Sequence, residues 1–416
     1  MAARKPPKVA VIGGGMITGM QILPSLYQMQ RLGLIGQVAV SALNGAPLKT
    51  LAEDETLKEA FPGHSFDPWP DFCRVDPRMG FPRLFEQLLH TLPKRNIVFV
   101  AVPDQLHYPV IKKALNADQH VVTVKPLVLK HKQAVEIEAL ALKKGLFVGV
   151  EYHKRFDDRA LIARVQYRKG NLGKFKLGQA VLNEPWYYRD SNFQNWCTCE
   201  NSDMFTYVGC HYVDQVAFIT GLRPVEVSVH GIKDAYPNGN LGYLWCDARV
   251  VWENGAALSV MDGMCYPNAA PGGNWQGLRM FCKGSKDGCL AMHDDQYRGV
   301  KHCYETPSDG KTYHEVSPDY FKLVYRGGKG LEPIGYGYRS IEAMIQAALR
   351  VERGRDVRAR RAAIKEIDGE GILATPANSA YNELVIEAGR MSILNGGRPV
   401  EIRYGKRPSV RFKSFS

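Results

Sequence analysis

Any chemistry in this chain would rest on a lysine, a histidine, a tyrosine and a pair of glycines, each in a telling place. The stretch HVVTVKPLVL, residues 120–129, sets Lys125 in a run of branched apolar residues with Pro126 directly behind it. Val121, Val122 and Val124 read as a strand covered on both faces. A lysine is almost never fully buried without a partner, and Pro126 ends the ladder by removing a donor. Either Lys125 sits at the strand's exposed end, or its amine faces a cleft and takes part in proton transfer. In YVGCHYVDQVAFITG, residues 207–221, Tyr207 and His211 lie one helical turn apart and so share a face. Histidine is the ready general base near neutral pH; the plainer reading is a satisfied core histidine beside a packed aromatic. In GGGMITG, residues 13–19, Gly13 permits a tight turn and Gly15 lets backbone approach a pyrophosphate at a helix N-terminus.

The elements that must hold these residues alternate. KVAVIG (8–13), QVAVSAL (37–43), NIVFVAV (96–102), HVVTV (120–124) and LFVGVEY (146–152) read as strands, with helical stretches between them. That alternation predicts an α/β fold with a doubly wound parallel (Rossmann) sheet over residues 1–150. Ligands would then bind at the strands' carboxyl ends. Residues 151–416 form the second domain, β-rich after residue 169, and Asn254-Gly255 is a hairpin turn between alternating runs. The glycine motif departs from the usual spacing, with Thr18 in the third glycine's place. Met16 and Ile17 follow it into the helix. After the second strand Ser41, Ala42 and Asn44 stand where an acidic residue would hold a ribose hydroxyl. No arginine adjoins to receive a 2′-phosphate, so NAD is preferred and NADP stays open.

Composition excludes other classes. The chain has 416 residues, 45% hydrophobic, enough for two domains. No apolar stretch approaches membrane-spanning length, and the N-terminus passes from a short basic segment into a strand without a secretory pattern. The nine cysteines, an odd and scattered set, suit reduced thiols in a cytoplasm, and none has zinc-site spacing. A cytoplasmic protein with no metal, membrane or nucleic-acid partner is expected. The net charge of +12 is concentrated in 350–365 and 398–413, read as a solvated helix face and a basic tail.

Three ordered pieces carry a resemblance. VAVPDQLHYPVIKKAL (100–115) holds Val102, Pro103 and His107; HVVTVKP holds Lys125 and Pro126; VEYHKRFDD (150–158) holds His153 and Arg155. With the glycine turn, this order resembles the Gfo/Idh/MocA family of NAD(P)-dependent oxidoreductases, whose members show "TPxxxHxxxxxAL", "EKP" and "GYNRRFDP". Val102 stands for the threonine, Val124 for the glutamate and His153 for the asparagine. Residues 207–221 resemble the family's "DxGxHxxD" helix: His211 and Asp214 match, and Tyr207 replaces aspartate. The resemblance implies a large open, mostly antiparallel sheet in the second domain, used for homodimer or homotetramer contacts. It also implies a place for Trp196 close to the nicotinamide.

Alcohol oxidation asks for such groups. Removing the hydroxyl proton while hydride leaves the same carbon needs a base, here His211, with Lys125 and Tyr207 sharing the proton. A carbohydrate substrate would find aromatic faces and polar side chains in Trp186, Tyr188 and Arg189, with Tyr338 on another wall and His153, Arg155 and Asp214 nearby in sequence motifs. The same aromatics could instead fill the core. The reading is thus an NAD(P)-dependent dehydrogenase for a sugar, polyol or glycoside hydroxyl. Its rivals are a glycosidase or lyase that oxidises a ring hydroxyl transiently, and a dinucleotide-sensing regulator without catalysis.

Overall fold

The computed structural model describes residues 5–270, 274–284, 287–294 and 320–414; of the cysteines, Cys303 lies outside these. The chain divides into two compact units, Met1–His153 with Phe321–Glu383 and Lys154–Tyr320 with Leu384–Ser416. The first crossing lies close to the boundary expected at 150. Residues 321–383, read in the sequence with the second domain, cluster with the first.

In the first unit β1 (Val9–Ile12), β2 (Val38–Ser41), β3 (Asp67–Trp69), β4 (Ile97–Val100), β5 (His120–Val124) and β6 (Val148–Glu151) form one sheet in the order β3-β2-β1-β4-β5-β6. Every pairing is parallel. Val9, Ala10 and Val11 have no exposed surface, as expected of a strand with both faces covered. Strand order reverses at β1 and β4, the switch point beside which ligands bind in such sheets. Within this sheet the sequence reading missed β3: DPW is too short and proline-bearing to signal a strand.

The second unit holds β7 (Lys174–Pro185), β8 (Pro224–Ala235), β9 (Leu241–Trp252), β10 (Ala257–Tyr266), β11 (Trp275–Lys283) and β12 (Gly288–Asp294). Further along, β13 (Lys322–Val324) and β14 (Glu332–Ile334) pair within the first unit. The chain then returns with β15 (Val400–Arg403) and β16 (Ser409–Phe412) to complete an eight-stranded sheet, β12-β11-β7-β10-β9-β8-β15-β16. Only β7 and β10 run parallel. The turn between β9 and β10 carries Gly255 at φ +78°, as the Asn-Gly pair implied.

Two basic segments differ from expectation. Residues 398–413 are no tail: Val400 and Ile402 face inward, 0% and 4% exposed, while Glu401 and Arg403 face out, the two-residue period of a strand. Within 350–365, Arg360 and Arg361 do more than solvate a face. Arg360 Nε donates to the carbonyl of Gly145 at 3.0 Å, and Arg361 Nε to that of Leu142 at 2.6 Å. They cap the end of helix His131–Lys144, where carbonyls lack partners and cations are favoured. Among the described residues no helix is long and apolar enough to cross a membrane.

Candidate functional site

The turn after β1 depends on Gly13. Its φ of +121° is closed to ordinary L residues, and a Cβ would lie 2.0 Å from the carbonyl oxygen of Ala101. Gly13 N–H donates to the Ser41 carbonyl at 2.7 Å and Ala101 N–H to that of Ile12 at 2.8 Å, drawing together the ends of β1, β2 and β4. Thr18, in the missing glycine's place, donates its hydroxyl to the Gly13 carbonyl at 2.7 Å and so clips the turn. Gly15 is different: nothing lies within 4 Å of where its Cβ would be. Open space on that side is what close approach of a pyrophosphate requires. A cavity of about 650 Å³ adjoins, walled by Gly14, Gly15, Met16, Met20, Pro47 and Phe321 among others. Ile17 leads into a π-helical turn, Thr18–Ile22, that opens helix Leu23–Arg31. The turn therefore fits a dinucleotide.

Lys125 directly follows β5 and is 9% exposed, so it neither lies open at the strand's end nor vanishes into the core. His107 is fully buried, with Nδ1 2.6 Å from the Pro126 carbonyl and Nε2 2.9 Å from that of Val102. Both ring nitrogens meet backbone. His107 ties the loop after β4, with Val102 and Pro103, to the loop after β5, and thereby fixes the backbone from which Lys125 projects.

A group that sequence reading missed stands at the end of β6. Glu151, 3% exposed, accepts hydrogen bonds from Gln21 Nε2 at 2.8 Å, Ser340 Oγ at 2.5 Å and His153 Nδ1 at 3.0 Å. The His153 ring stacks on Tyr336 at 5.7 Å. The signal was available: VGVEY closes a buried strand with a charged residue, as HVVTVKP does with Lys125. Tyr338 is half-buried, and its phenol is pushed well above the ordinary range by burial and by neighbouring Glu342.

In the second unit His211 is buried on helix Cys210–Thr220. Tyr207 lies in a preceding π-helical turn, Phe205–Gly209, so the pair is not separated by the plain α-turn expected. Close packing accompanies the change: a Cβ on Gly209 would lie 2.5 Å from the carboxylate of buried Asp262 on β10, another group not foreseen. Tyr207 meets Phe193 and Trp196 edge-on, at 4.8 and 5.7 Å between ring centres, and Tyr188 stacks on Phe193 at 5.3 Å. Burial drives the Tyr188 phenol far above its ordinary range. Three residues expected to bind ligand have protein partners. Arg155 donates to both carboxylate oxygens of Asp214, at 2.7 and 2.6 Å. Arg189 donates to Asp234 at 2.7 Å and stands 4.3 Å from the Trp186 ring centre. Lys154, 2% exposed and passed over in the sequence, donates to Gln276 Oε1 at 2.6 Å.

Residues 7–152 match the Gfo/Idh/MocA profile, an oxidoreductase family with an NAD-binding Rossmann fold. Residues 7–152 belong to that family. An uncharacterised oxidoreductase of Bacillus subtilis is 37% identical over 175 residues, 36% of this chain and 44% of that protein. The chain spans 34% to 44% of the length of this and two other curated oxidoreductases. Whole-chain likeness is structural. GenD2 from gentamicin A biosynthesis, solved with NAD, aligns with a TM-score of 0.61 at 18% identity over 96% of this chain and 97% of its own. An inositol dehydrogenase homologue from Azotobacter vinelandii, solved with NADH and myo-inositol, gives 0.61 at 19% over 95% and 98%. At such identities the shared property is the two-part fold. The glycine turn and the Lys125 loop both lie within the matched residues 7–152, the NAD-binding domain.

Proposed function

We propose that this protein oxidises a secondary hydroxyl of a sugar, polyol or glycoside with a nicotinamide dinucleotide, and runs the reverse reduction. The observation that carries the reading is Lys125, nine-tenths buried at the carboxyl end of β5 in an NAD-binding domain. Gly13, Gly15 and Met16 would hold the pyrophosphate side of the dinucleotide, and Ser41, Val102, Pro103, Pro126 and Trp196 are proposed around the rest. Bound there, the nicotinamide ring supplies the hydride acceptor. The chain's own residues handle the proton. His211 takes it from the substrate hydroxyl, Tyr207 assists, and the Lys125 ammonium steadies developing negative charge on oxygen. Trp186 and neighbouring Tyr187, 45% and 48% exposed, offer ring faces of the kind that stack on sugar C–H groups. Arg189 and the Arg155–Asp214 pair hold their surroundings in shape. That relatives of this fold were solved with inositol and NADH supports the substrate class.

The test is purified protein with NAD or NADP and a panel of inositols, free sugars and aryl glycosides. Net reduced nicotinamide with a polyol or sugar supports the proposal. Release of the aglycone without net reduction would replace it by transient oxidation and elimination, and dinucleotide binding with no turnover would replace it by sensing.

A further inference from the structure

Both carboxylate oxygens of Glu151 have partners, and one of them faces His153. Oε1 accepts from Gln21 Nε2 at 2.8 Å and from Ser340 Oγ at 2.5 Å. Oε2 faces His153 Nδ1 at 3.0 Å. A carboxylate only accepts, so the ring nitrogen against it must carry a hydrogen. In a neutral imidazole the other nitrogen then holds the lone pair. The ring stacks on Tyr336, 5.7 Å between centres with the planes 26° apart, and turning it over would take Nδ1 away from the carboxylate.

We propose that Glu151 is a positioning residue that holds His153 in the tautomer with hydrogen on Nδ1, so that Nε2 meets its partner as an acceptor. The identity of that partner, a ligand hydroxyl, rests on the function proposed above; the tautomer does not. Two neighbours make the arrangement one-way. Gln21 Nε2 also donates to the Gly337 carbonyl at 2.9 Å, so the Gln21 amide cannot reverse without setting oxygen against oxygen. Ser340 Oγ likewise lies 2.9 Å from the Gly337 carbonyl. Whatever stands at position 151 must therefore offer an acceptor on the Oε1 side.

This makes Glu151→Gln a reversal of the tautomer. The new amide keeps its oxygen toward Gln21, because its NH₂ there would oppose another donor. Its NH₂ then falls where Oε2 was and points at His153 Nδ1. To avoid donor against donor, the ring moves its hydrogen to Nε2, and an acceptor becomes a donor while size and shape stay nearly constant.

The experiment is long-range proton–nitrogen correlation NMR on the full chain labelled with ¹⁵N in histidine, with the His153 signals assigned by their loss in His153→Gln. The wild type should show a protonated Nδ1 and an unprotonated Nε2, and Glu151→Gln should exchange the two patterns. Ser340→Ala removes one donor and leaves the wild-type pattern. A wild type protonated at Nε2, or a folded Glu151→Gln with an unchanged pattern, overturns the proposal. Should Glu151→Gln fail to fold, the wild-type spectrum alone decides. On an active substrate, Glu151→Gln should lower turnover by about tenfold to a hundredfold, the scale for losing a group that orients a functional histidine, with dinucleotide affinity unchanged. If no substrate turns over, the proposed function fails while the tautomer result still stands or falls by itself.

Discussion

Substituting alanine at Gly13 and at Gly15 should separate folding from cofactor binding, although the two positions are neighbours in one turn. At Gly13 the added Cβ lands 2.0 Å from Ala101 O and 2.6 Å from Ala101 C. Those are backbone atoms pinned by the bond from Ala101 N–H to the Ile12 carbonyl at 2.8 Å, so they have little freedom to move. Holding φ +121° with a side chain costs about 1–3 kcal/mol, and the overlap adds about 1–3 kcal/mol more. A central value of about 4 kcal/mol lowers the melting temperature by roughly 8–16 °C for a unit of this size. At Gly15 no atom lies within 4 Å and φ is ordinary, so stability should change by less than about 0.5 kcal/mol. The methyl group there takes the space a pyrophosphate needs, and NAD affinity should fall by about tenfold or more, roughly 1.4 kcal/mol. Thermal melts by circular dichroism and calorimetric titration with NAD read the two effects. A Gly13→Ala protein melting within about 2 °C of wild type would refute the steric argument. A Gly15→Ala protein that binds NAD normally would remove the pyrophosphate from this turn.

The other expectations are more local. Lys125→Ala and His211→Ala should each lower turnover by at least about a hundredfold, with dinucleotide binding retained, and Tyr207→Phe should do less; near-normal steady-state rates for His211→Ala would make that histidine structural. Arg155→Ala leaves the Asp214 carboxylate buried without its counter-ion and should cost about 3–5 kcal/mol in urea unfolding, so a loss below about 1 kcal/mol contradicts a buried pair. Lys144, chiefly, holds the Asp118 carboxyl below its ordinary value. A depressed carboxyl adds stability above its unfolded pKa of about 3.9 that is lost as pH falls through the folded value. The stability gap between wild type and Lys144→Ala should therefore be flat from about pH 5 to 8 and shrink below about pH 4, and a gap independent of pH would exclude this linkage. The open face of the eight-stranded sheet exposes Leu177, Phe281 and Leu290 in one cross-strand row, an apolar patch that a second copy should cover. Light scattering that finds only monomer at every concentration would rule this out.

The first sheet was legible in the sequence because parallel strands buried on both faces are written as unbroken apolar runs, and their ends as charge or glycine. Gly13, Lys125 and the alternation of strands with helices follow from that local grammar, while the order of the strands came from the structure. The Asn254-Gly255 hairpin and the β-rich second half were legible for the same reason, since period and turn chemistry act over a few residues. Tertiary structure alone decided what each polar side chain does. Arg155 and Asp214 lie 59 positions apart and neutralise each other, a pairing no spacing rule reaches. Glu151 gathers Gln21, from 130 positions before it, and Ser340, from 189 after. The return of residues 321–383 to the first unit is equally invisible to periodicity, because an amphipathic helix records that it has an apolar face and not which sheet that face will cover.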